Sequence, residues 1–324
     1  MANDPPSLPS PALSIQLWSF ARSDPGPGGW QPLFDQARAA DAAGVDRLVV
    51  SDHVILGENL EAYGDPKLGG SAGGRQPTGP DGHWLDPVVL LSMFAAQTEQ
   101  VRLMTGILIA ALRRPATLAK AAATLDTLSG GRLDLGVGVG WQREEYEANG
   151  LPFERRGARL DRTLEVCQLL WREESASYHS EELRFEKVHC NPKPLQPGGV
   201  PLWISGTLNP NVLRRIARFG SGWVPWGPDA EDPAKGLALV RKALEDAGRD
   251  PAGFQATAAL PVLRRDDDSP DLGATLDPVP RMAAAGITDF RLGISLPRDH
   301  ARSFELLAPV VEAFREAAGR PAAR

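Results

Sequence analysis

The chain has 324 residues and a formal net charge of −6, with 42 % hydrophobic and 23 % charged residues. These values are ordinary for a globular protein, and the weak negative charge gives no global reason to bind nucleic acid or an anionic membrane. Two cysteines, Cys167 and Cys190, are too few for a disulfide framework and favour a reduced, cytoplasmic setting. No stretch reaches the roughly 18 to 20 apolar residues of a membrane span. We therefore expect neither nucleic acid nor a membrane as a partner, and a small molecule as the substrate.

The N-terminal segment has neither the basic region nor the apolar run of a signal peptide. We therefore expect a disordered tail over residues 1–11 and a single domain over residues 12–320.

The predicted elements begin with an apolar strand over residues 13–18. The spacing of apolar residues then predicts a helix that opens near Pro32 and ends at Gly44, followed by a second strand over 45–53. The same order of helix, glycine and strand recurs along the chain. Further strands are expected at 101–110, 132–140, 200–206, 222–227, 254–263 and 287–295, and further helices at 87–100, 116–131, 211–221, 233–247, 279–286 and 303–319.

About eight strand–helix units without a break in composition predict a (β/α)₈ TIM barrel with insertions on its C-terminal face. An open doubly wound sheet is the alternative. Three segments are longer than ordinary connections. Residues 56–84 follow the second strand and are expected to cover the C-terminal face as a lid, residues 141–172 hold a charged turn and a helix, and residues 177–190 alternate as an added hairpin does.

The segment LDLGVGVGWQREEY, residues 133–146, runs from an apolar strand into Gly136, Gly138 and Gly140. It is not a dinucleotide-binding loop, because that pattern needs its third glycine one position later and occurs in the first unit of a sheet. Glycines at alternate strand positions leave one face without side chains. A flat ligand could lie on that face, or a tight barrel core could require small residues there.

Chemistry in a TIM barrel takes place where strands end at the carboxyl side. Asp52 and His53 end the second strand, and His53 is a candidate proton donor oriented by a neighbour. Gly106 interrupts the third strand and suggests a bulge. Arg113 and Arg114 follow it as candidate anion contacts, with a plain solvated surface as the alternative.

The fifth strand ends in Ser205, Gly206 and Thr207, and Asn209 is expected to cap the next helix. A hydroxyl, free backbone N–H groups and the helix N-terminus suit a phosphate, although a plain capped helix explains the same residues. The chain has no lysine at a strand end for a Schiff base and no H-x-H pair for zinc, so we expect no metal. The glycine strand, the Asp52–His53 pair and the phosphate-like loop after the fifth strand together suit a flat, phosphorylated redox cofactor.

The segments VVSDHV, TGILIAALRRPATLAKAAATLDTLSGGRLDLGVGVGWQREEYEANG and PKPLQPGGVPLWISG resemble the luciferase-like monooxygenase superfamily. The chain looks most like the branch that uses coenzyme F420, an 8-hydroxy-5-deazaflavin. The resemblance spans about residues 12–320, and LGVGVGWQREEYEANG is its most specific part.

The resemblance implies a deazaflavin or FMN at the carboxyl end of a TIM barrel, with Asp52 and His53 near its ring. It also implies a bulge with a non-proline cis peptide at Gly106–Ile107 behind the ring. The remaining implied cofactor contacts are Gly138, Val139, Gly140 and Trp141 along the ring, and Ser205, Gly206 and Thr207 at the phosphate.

One position departs from the resemblance. The deazaflavin-dependent sugar-phosphate dehydrogenases of the superfamily carry a glutamic acid directly after the glycine strand, where this chain has Trp141. The same sugar-phosphate chemistry is therefore not expected. A general acid, where one is needed, would be His53, Glu144 or Glu145.

The resemblance implies an oxidoreductase that moves a hydride between coenzyme F420 and a small organic substrate. An FMN-dependent monooxygenase on the same scaffold is the first alternative. The two cofactors differ in that only coenzyme F420 has a longer tail, which would need a basic exit at Arg113, Arg114 or Arg155. A barrel that binds a ligand without catalysis is the second alternative. A homodimer is possible because apolar helices such as 115–128 could pair.

Overall fold

A computed structural model describes residues 11–26 and 28–321. The tail predicted at residues 1–11 lies outside the described residues except for Pro11. The strands are β1 (Ala12–Gln16), β2 (Phe20–Ala21), β3 (Arg47–Val50), β4 (His83–Trp84), β5 (Arg102–Thr105), β6 (Leu133–Val137), β7 (Ala176–His179), β8 (Arg184–Val188), β9 (Leu202–Gly206), β10 (Gly222–Pro225), β11 (Gln255–Leu260) and β12 (Asp289–Leu292).

The helices follow the barrel strands and connect each one to the next. They are α1 (Gln31–Ala43), α2 (Pro87–Ala95), α3 (Pro115–Leu128), α4 (Arg143–Ala148), α5 (Arg156–Arg172), α6 (Pro210–Phe219), α7 (Pro233–Asp246), α8 (Leu272–Leu276), α9 (Val279–Ala284) and α10 (His300–Ala317). Within the described residues, no helix is both long and apolar enough to cross a lipid bilayer.

Eight of the strands form a closed parallel barrel in the order β1, β3, β5, β6, β9, β10, β11 and β12. The barrel closes because β1 pairs with β3 on one side and with β12 on the other. This confirms the predicted (β/α)₈ TIM barrel, and the open doubly wound sheet is wrong.

Two antiparallel ribbons are added to the barrel. β7 pairs with β8, which confirms the hairpin predicted over residues 177–190. β2 pairs with β4 and so joins the segment after β1 to the end of segment 56–84, a pairing that the sequence analysis did not predict. With two residues a strand, this ribbon is too short to give a clear alternating pattern.

Local sequence signals position several element ends as predicted. Gly44 ends α1 with a φ of 79°, in the left-handed region that glycine adopts without strain. The Asn209 carboxamide oxygen caps α6 by accepting hydrogen bonds from the N–H groups of Asn211 and Val212 at 3.0 and 3.1 Å. The barrel strands are shorter than predicted, and β3 ends at Val50. Asp52 and His53 therefore lie in the loop just beyond β3.

The apolar side of α3 faces inward. Its buried residues include Leu118, Ala119 and Ala122, and the helix packs on α5, whereas Leu128 at its C-terminal end is 75 % exposed. Most of the apolar surface that suggested helix pairing is thus used within the chain, and the homodimer stays a prediction.

A buried ionic network joins strands across the barrel interior. Arg47 on β3 contacts the carboxylates of Asp134 on β6, at 3.1 Å, and Asp289 on β12. Arg102 on β5 donates from Nε and Nη2 to the two oxygens of Asp134, each at 2.8 Å. Thr257 on β11 donates to Asp289 at 3.0 Å. Burial disfavours the charged Asp134 carboxylate, but the Arg102 and Arg47 guanidinium groups outweigh this effect and lower its pKa.

We expect Asp134→Asn to lower the free energy of unfolding by about 3 to 5 kcal/mol at pH 7, because it removes the buried carboxylate that both Arg102 and Arg47 contact. The folded-state pKa of Asp134 lies below the unfolded value of about 3.9. The stabilisation is therefore complete above that pH and is lost as the pH falls through the folded-state pKa. The difference between variant and wild type should shrink in acid, as measured by urea denaturation at pH 7 and near pH 3.

Asp246→Asn is the matched control, because Asp246 pairs with Lys242 on the surface of α7 and both side chains are exposed. It should change the stability by less than about 0.5 kcal/mol. Equal effects of the two substitutions would contradict a structural role for the buried network.

Candidate active site

A cavity of about 530 Å³ opens at the carboxyl ends of the barrel strands. This volume lies in the range of small-molecule and cofactor sites. Its wall is mainly aromatic and apolar, with few polar groups. The lining residues include Gln16, Trp18, Phe20, His53, Tyr63, Trp84, Gly106, Ile107, Gly138, Val139, Gly140, Trp141, Ser205, Gly206, Trp226 and Arg291.

A bulge after β5 forms one wall of the cavity. The peptide bond Gly106–Ile107 is cis, as the resemblance implied. Beyond the bulge the chain returns to β6, because Leu108 donates to the Gly136 carbonyl at 2.8 Å and Gly138 donates to the Leu108 carbonyl at 3.0 Å. Gly106 has no room for a side chain, since an added Cβ would lie 2.4 Å from Cγ1 of Val49.

The three glycines of β6 and the turn after it let the bulge approach closely. An added Cβ would lie 2.0 Å from the Thr105 carbonyl oxygen at Gly136, and 2.8 Å from Cδ1 of Ile107 at Gly138. Gly140 has a φ of +69°, which favours glycine. Gly138 and Gly140 line the cavity and Gly136 does not. Close packing thus accounts for all three glycines. Gly138 and Gly140 also leave backbone open to a ligand, whereas Gly136 does not.

Asp52 fastens the bulge from the β3 side. Its Oδ2 accepts a hydrogen bond from the Ile109 N–H at 2.9 Å, and its oxygens pair with Nη2 of Arg113 at 2.9 and 3.1 Å. Burial raises the pKa of the Asp52 carboxyl, although Arg113 and the Ile109 N–H oppose this effect. The structure thus gives Asp52 a positioning role at the edge of the cavity.

Arg113 is held between two carboxylates of the chain itself, since its guanidinium also donates to Asp86 at 2.6 Å. Its Nε is buried without a hydrogen-bond partner. The expected contact of Arg113 with an anion or a cofactor tail stays a prediction. Arg114 is exposed at the N-terminus of α3, and Arg155 is exposed just before α5.

His53 lines the cavity and is held by Glu145. Nδ1 of His53 lies 3.2 Å from Oε2 of Glu145, and the other Glu145 oxygen accepts from the Val54 N–H at 2.8 Å. Glu145 is fully buried in the first turn of α4. A carboxylate only accepts hydrogen bonds, so this contact requires a proton on Nδ1. Among the described residues, Nε2 of His53 has no hydrogen-bond partner.

Glu144, the neighbouring candidate acid, does not line the cavity. Its side chain packs against Gly57, where an added Cβ would lie 2.6 Å from Cβ of Glu144. Successive helical residues point about 100° apart, so only one of the adjacent pair Glu144 and Glu145 can face His53. The structure brings Glu145 and not Glu144 to the histidine.

Aromatic rings surround His53. Its imidazole meets Trp84 and Trp141 edge to face, with centroids 4.7 and 5.7 Å away. Trp141 is 5 % exposed and occupies the position directly after the glycine strand, where the sugar-phosphate dehydrogenases of the resemblance carry a glutamic acid. It forms part of the wall and also contacts Tyr63. The predicted cofactor-contact residue Trp141 is thus in the cavity.

The loop after β9 is only partly open to an anion. Ser205 and Gly206 line the cavity, whereas Thr207 does not and donates its hydroxyl hydrogen to the Trp226 carbonyl at 2.9 Å. The Leu208 N–H donates to the carboxylate of Asp229. Because Asn209 also occupies the first N–H groups of α6, the predicted phosphate site at Ser205, Gly206 and Thr207 stays a prediction.

Segment 56–84 forms part of the cavity wall. It contains short 3₁₀ turns at Leu60–Gly64 and Pro66–Leu68 and ends in β4. The Gly57 N–H donates to the side chain of Gln142 at 2.9 Å, and Arg156 donates to the Leu68 carbonyl at 2.8 Å. The segment is thus tied to the 141–172 region while it covers the site.

Several cavity residues were not predicted from the sequence. Trp18, Tyr63 and Trp226 carry no local motif, and only their positions shortly after strands or in the long loop could have indicated a role. Arg291 lies inside the last predicted strand, and only its place two positions after Asp289, on the same face, could have signalled it.

The fold and the cavity place the chain among TIM barrels with a ligand site at the carboxyl ends of the strands. The sequence profile of the luciferase-like monooxygenase family matches residues 14–270, and the chain belongs to this family. The expected resemblance is thereby confirmed.

Three similar proteins are informative. Rv0953c, an uncharacterized protein of Mycobacterium tuberculosis, is 32 % identical over 267 residues, which cover 80 % of this chain and 85 % of the relative. The phthiodiolone/phenolphthiodiolone dimycocerosates ketoreductase of Mycobacterium kansasii is 31 % identical over 254 residues, covering 77 % of this chain and 68 % of the relative. An F420-dependent secondary alcohol dehydrogenase, solved with an F420–acetone adduct, has a TM-score of 0.72 at 18 % identity, covering 94 % and 99 % of the two chains.

We expect the His53–Glu145 contact to control the imidazole tautomer. In the wild type, ¹⁵N NMR of labelled histidine should show His53 with its proton on Nδ1. Glu145→Ala should remove that signal and lower the stability by about 1 to 3 kcal/mol, because the Val54 N–H also loses its acceptor. Glu144→Ala is the control and should leave the His53 signal in place. The opposite pattern would show that Glu144 and not Glu145 holds the histidine.

Proposed function

We propose that the chain is an oxidoreductase that transfers a hydride between coenzyme F420 and a carbonyl or alcohol carbon of a small organic substrate. The observation that carries this proposal is that His53, held by the buried Glu145, lines the same cavity as the Gly106–Ile107 bulge. A ketoreductase among the similar sequences and an F420-dependent alcohol dehydrogenase among the similar folds support it, since both names describe hydride chemistry.

The cavity residues fit a flat ring. Gly138 and Gly140 present backbone without side chains, and the Gly106–Ile107 bulge stands beside them. These residues, with Val139 and Trp141, would hold the deazaflavin ring. Ser205, Gly206 and Thr207 would hold its phosphate, and the Leu208 N–H would become available there if Asp229 moved. The bound cofactor supplies or accepts the hydride.

His53 would handle the proton that accompanies the hydride. Reduction of a carbonyl places negative charge on its oxygen, and Nε2 of a protonated His53 would donate a proton to that oxygen. In the reverse direction, neutral Nε2 would accept the proton of the alcohol. Glu145 would hold Nδ1–H and stabilise the imidazolium. Glu145 is therefore proposed as a positioning residue in place of Glu144.

The aromatic wall would keep water out of the site. Tyr63 lies against Trp141 and Trp226, with ring centroids 5.4 and 6.0 Å apart. The segment 56–84 carries Tyr63 and Trp84, so movement of this segment would open and close the site as lids do in other enzymes.

Cofactor choice is tested by a fluorescence titration of the purified apoprotein with F420 and, separately, with FMN. We expect F420 to bind with a Kd on the order of micromolar or tighter, and FMN to bind more weakly. Preference for FMN would move the chain to flavin monooxygenase chemistry. Binding of neither would contradict the cofactor site and favour a barrel that binds a ligand without catalysis.

The proton role is tested by His53→Ala. We expect turnover of ketones, followed by the absorbance of the deazaflavin, to fall about 100-fold or more, because a general acid contributes this much. The Kd for F420 should change far less. His53→Gln keeps the polarity and much of the size, and it should be nearly as impaired. Unchanged turnover in either variant would remove His53 from the proposed chemistry.

A further inference from the structure

Arg291 places a positive charge in the barrel interior, near the carboxyl ends of the strands. It is the next-to-last residue of β12, two positions after Asp289 and therefore on the same, inward face of the strand. Its side chain lines the cavity and reaches the bulge, because a Cβ added to Gly106 would lie 3.0 Å from Nη1 of Arg291.

The Arg291 guanidinium has no carboxylate partner among the described residues. Its Nε is buried without a hydrogen-bond partner, and Nη2 only approaches the sulfur of Met104, at 3.8 Å. The two acids of the barrel interior are already used: Asp289 binds Arg47, Ser14 and Thr257, and Asp134 binds Arg47 and Arg102.

The electrostatic surroundings of Arg291 do not neutralise it. Burial lowers its pKa, Asp289 opposes that effect, and Arg47 adds to it, but an arginine stays charged in a protein. A buried charge without a partner is costly and is retained where it serves a ligand. The other ion in the cavity wall, Asp52, is paired with Arg113. Among the described residues that line the cavity, Arg291 thus supplies a positive charge without a carboxylate partner, inside an aromatic enclosure.

β12 stands directly across the barrel from β6, which leads into Gly138 and Gly140. The Arg291 side chain reaches back from β12 to the bulge at Gly106, so its guanidinium lies beside the place proposed for the cofactor ring. A carboxylate held there would lie next to the ring, as a reacting substrate must. We propose that Arg291 anchors a carboxylate of the substrate, so that the substrate is an aromatic or otherwise apolar carboxylate. This inference rests on the proposed function, because it names the class of substrate that the same cavity would bind.

The test is isothermal titration calorimetry of the cofactor-free protein with 2-naphthoate and with 2-naphthamide, which has the same shape and no charge. We expect the carboxylate to bind about tenfold tighter or more, because charge-assisted hydrogen bonds to a guanidinium are strong. Arg291→Met should abolish this preference and Arg291→Lys should keep part of it. Arg298→Met, in the exposed loop after β12, removes the same charge outside the cavity and should behave as the wild type.

Thermal unfolding of each variant controls for folding. Arg291→Met should melt at the wild-type temperature or above, because it removes an unpaired buried charge. A lower melting temperature would indicate a structural arginine and contradict the proposal. Equal affinity for the two ligands, no binding of either to the wild type, or a preference that survives in Arg291→Met would each overturn it.

A parallel F420 titration separates the two proposals. Loss of F420 binding in Arg291→Met without any carboxylate preference in the wild type would assign the guanidinium to the cofactor and overturn the substrate anchor. A wild type that prefers naphthoate through Arg291 but binds neither F420 nor FMN would keep the anchor and reject the hydride transfer.

Discussion

The site depends on the close approach of segment 105–109 to β6. Glycine at positions 136, 138 and 140 removes the side chains that would collide with this segment. Asp52 then fastens the segment from β3 through the Ile109 N–H, and Arg113 neutralises that carboxylate in the interior. This part of the cavity wall is therefore held by backbone contacts and one ion pair.

The pairing of charged side chains in the barrel interior changes along the barrel axis. Deeper in the barrel, Arg47 and Arg102 are matched by Asp134 and Asp289, so the charges cross-link strands and have partners. At the cavity, Arg291 has no carboxylate partner among the described residues, and its guanidinium faces the space where a ligand would lie. This contrast separates the residues that hold the barrel from those available for recognition.

The sequence predicted the barrel because helix, glycine and strand recur with little interruption, and it predicted the hairpin of β7 and β8 from alternation. It also located the glycine strand, Asp52 and His53, since strand ends in a barrel converge on one face. The pairing of side chains could not be predicted from the sequence, because it depends on strand register and helix rotation. Arg113 therefore looked free although two carboxylates hold it, and Glu144 and Glu145 looked equivalent. Arg291 lies within a strand, and the sequence does not show that its side chain enters the cavity.

A crystal structure of the chain with F420 would test the central claim most directly. The account predicts that the deazaflavin ring lies in van der Waals contact, about 3.5 to 4 Å, with Ile107 of the bulge and the backbone of Gly138, with Nε2 of His53 facing the open side of the cavity. A ring bound elsewhere in the cavity, or a bulge that rearranges to admit it, would contradict the account.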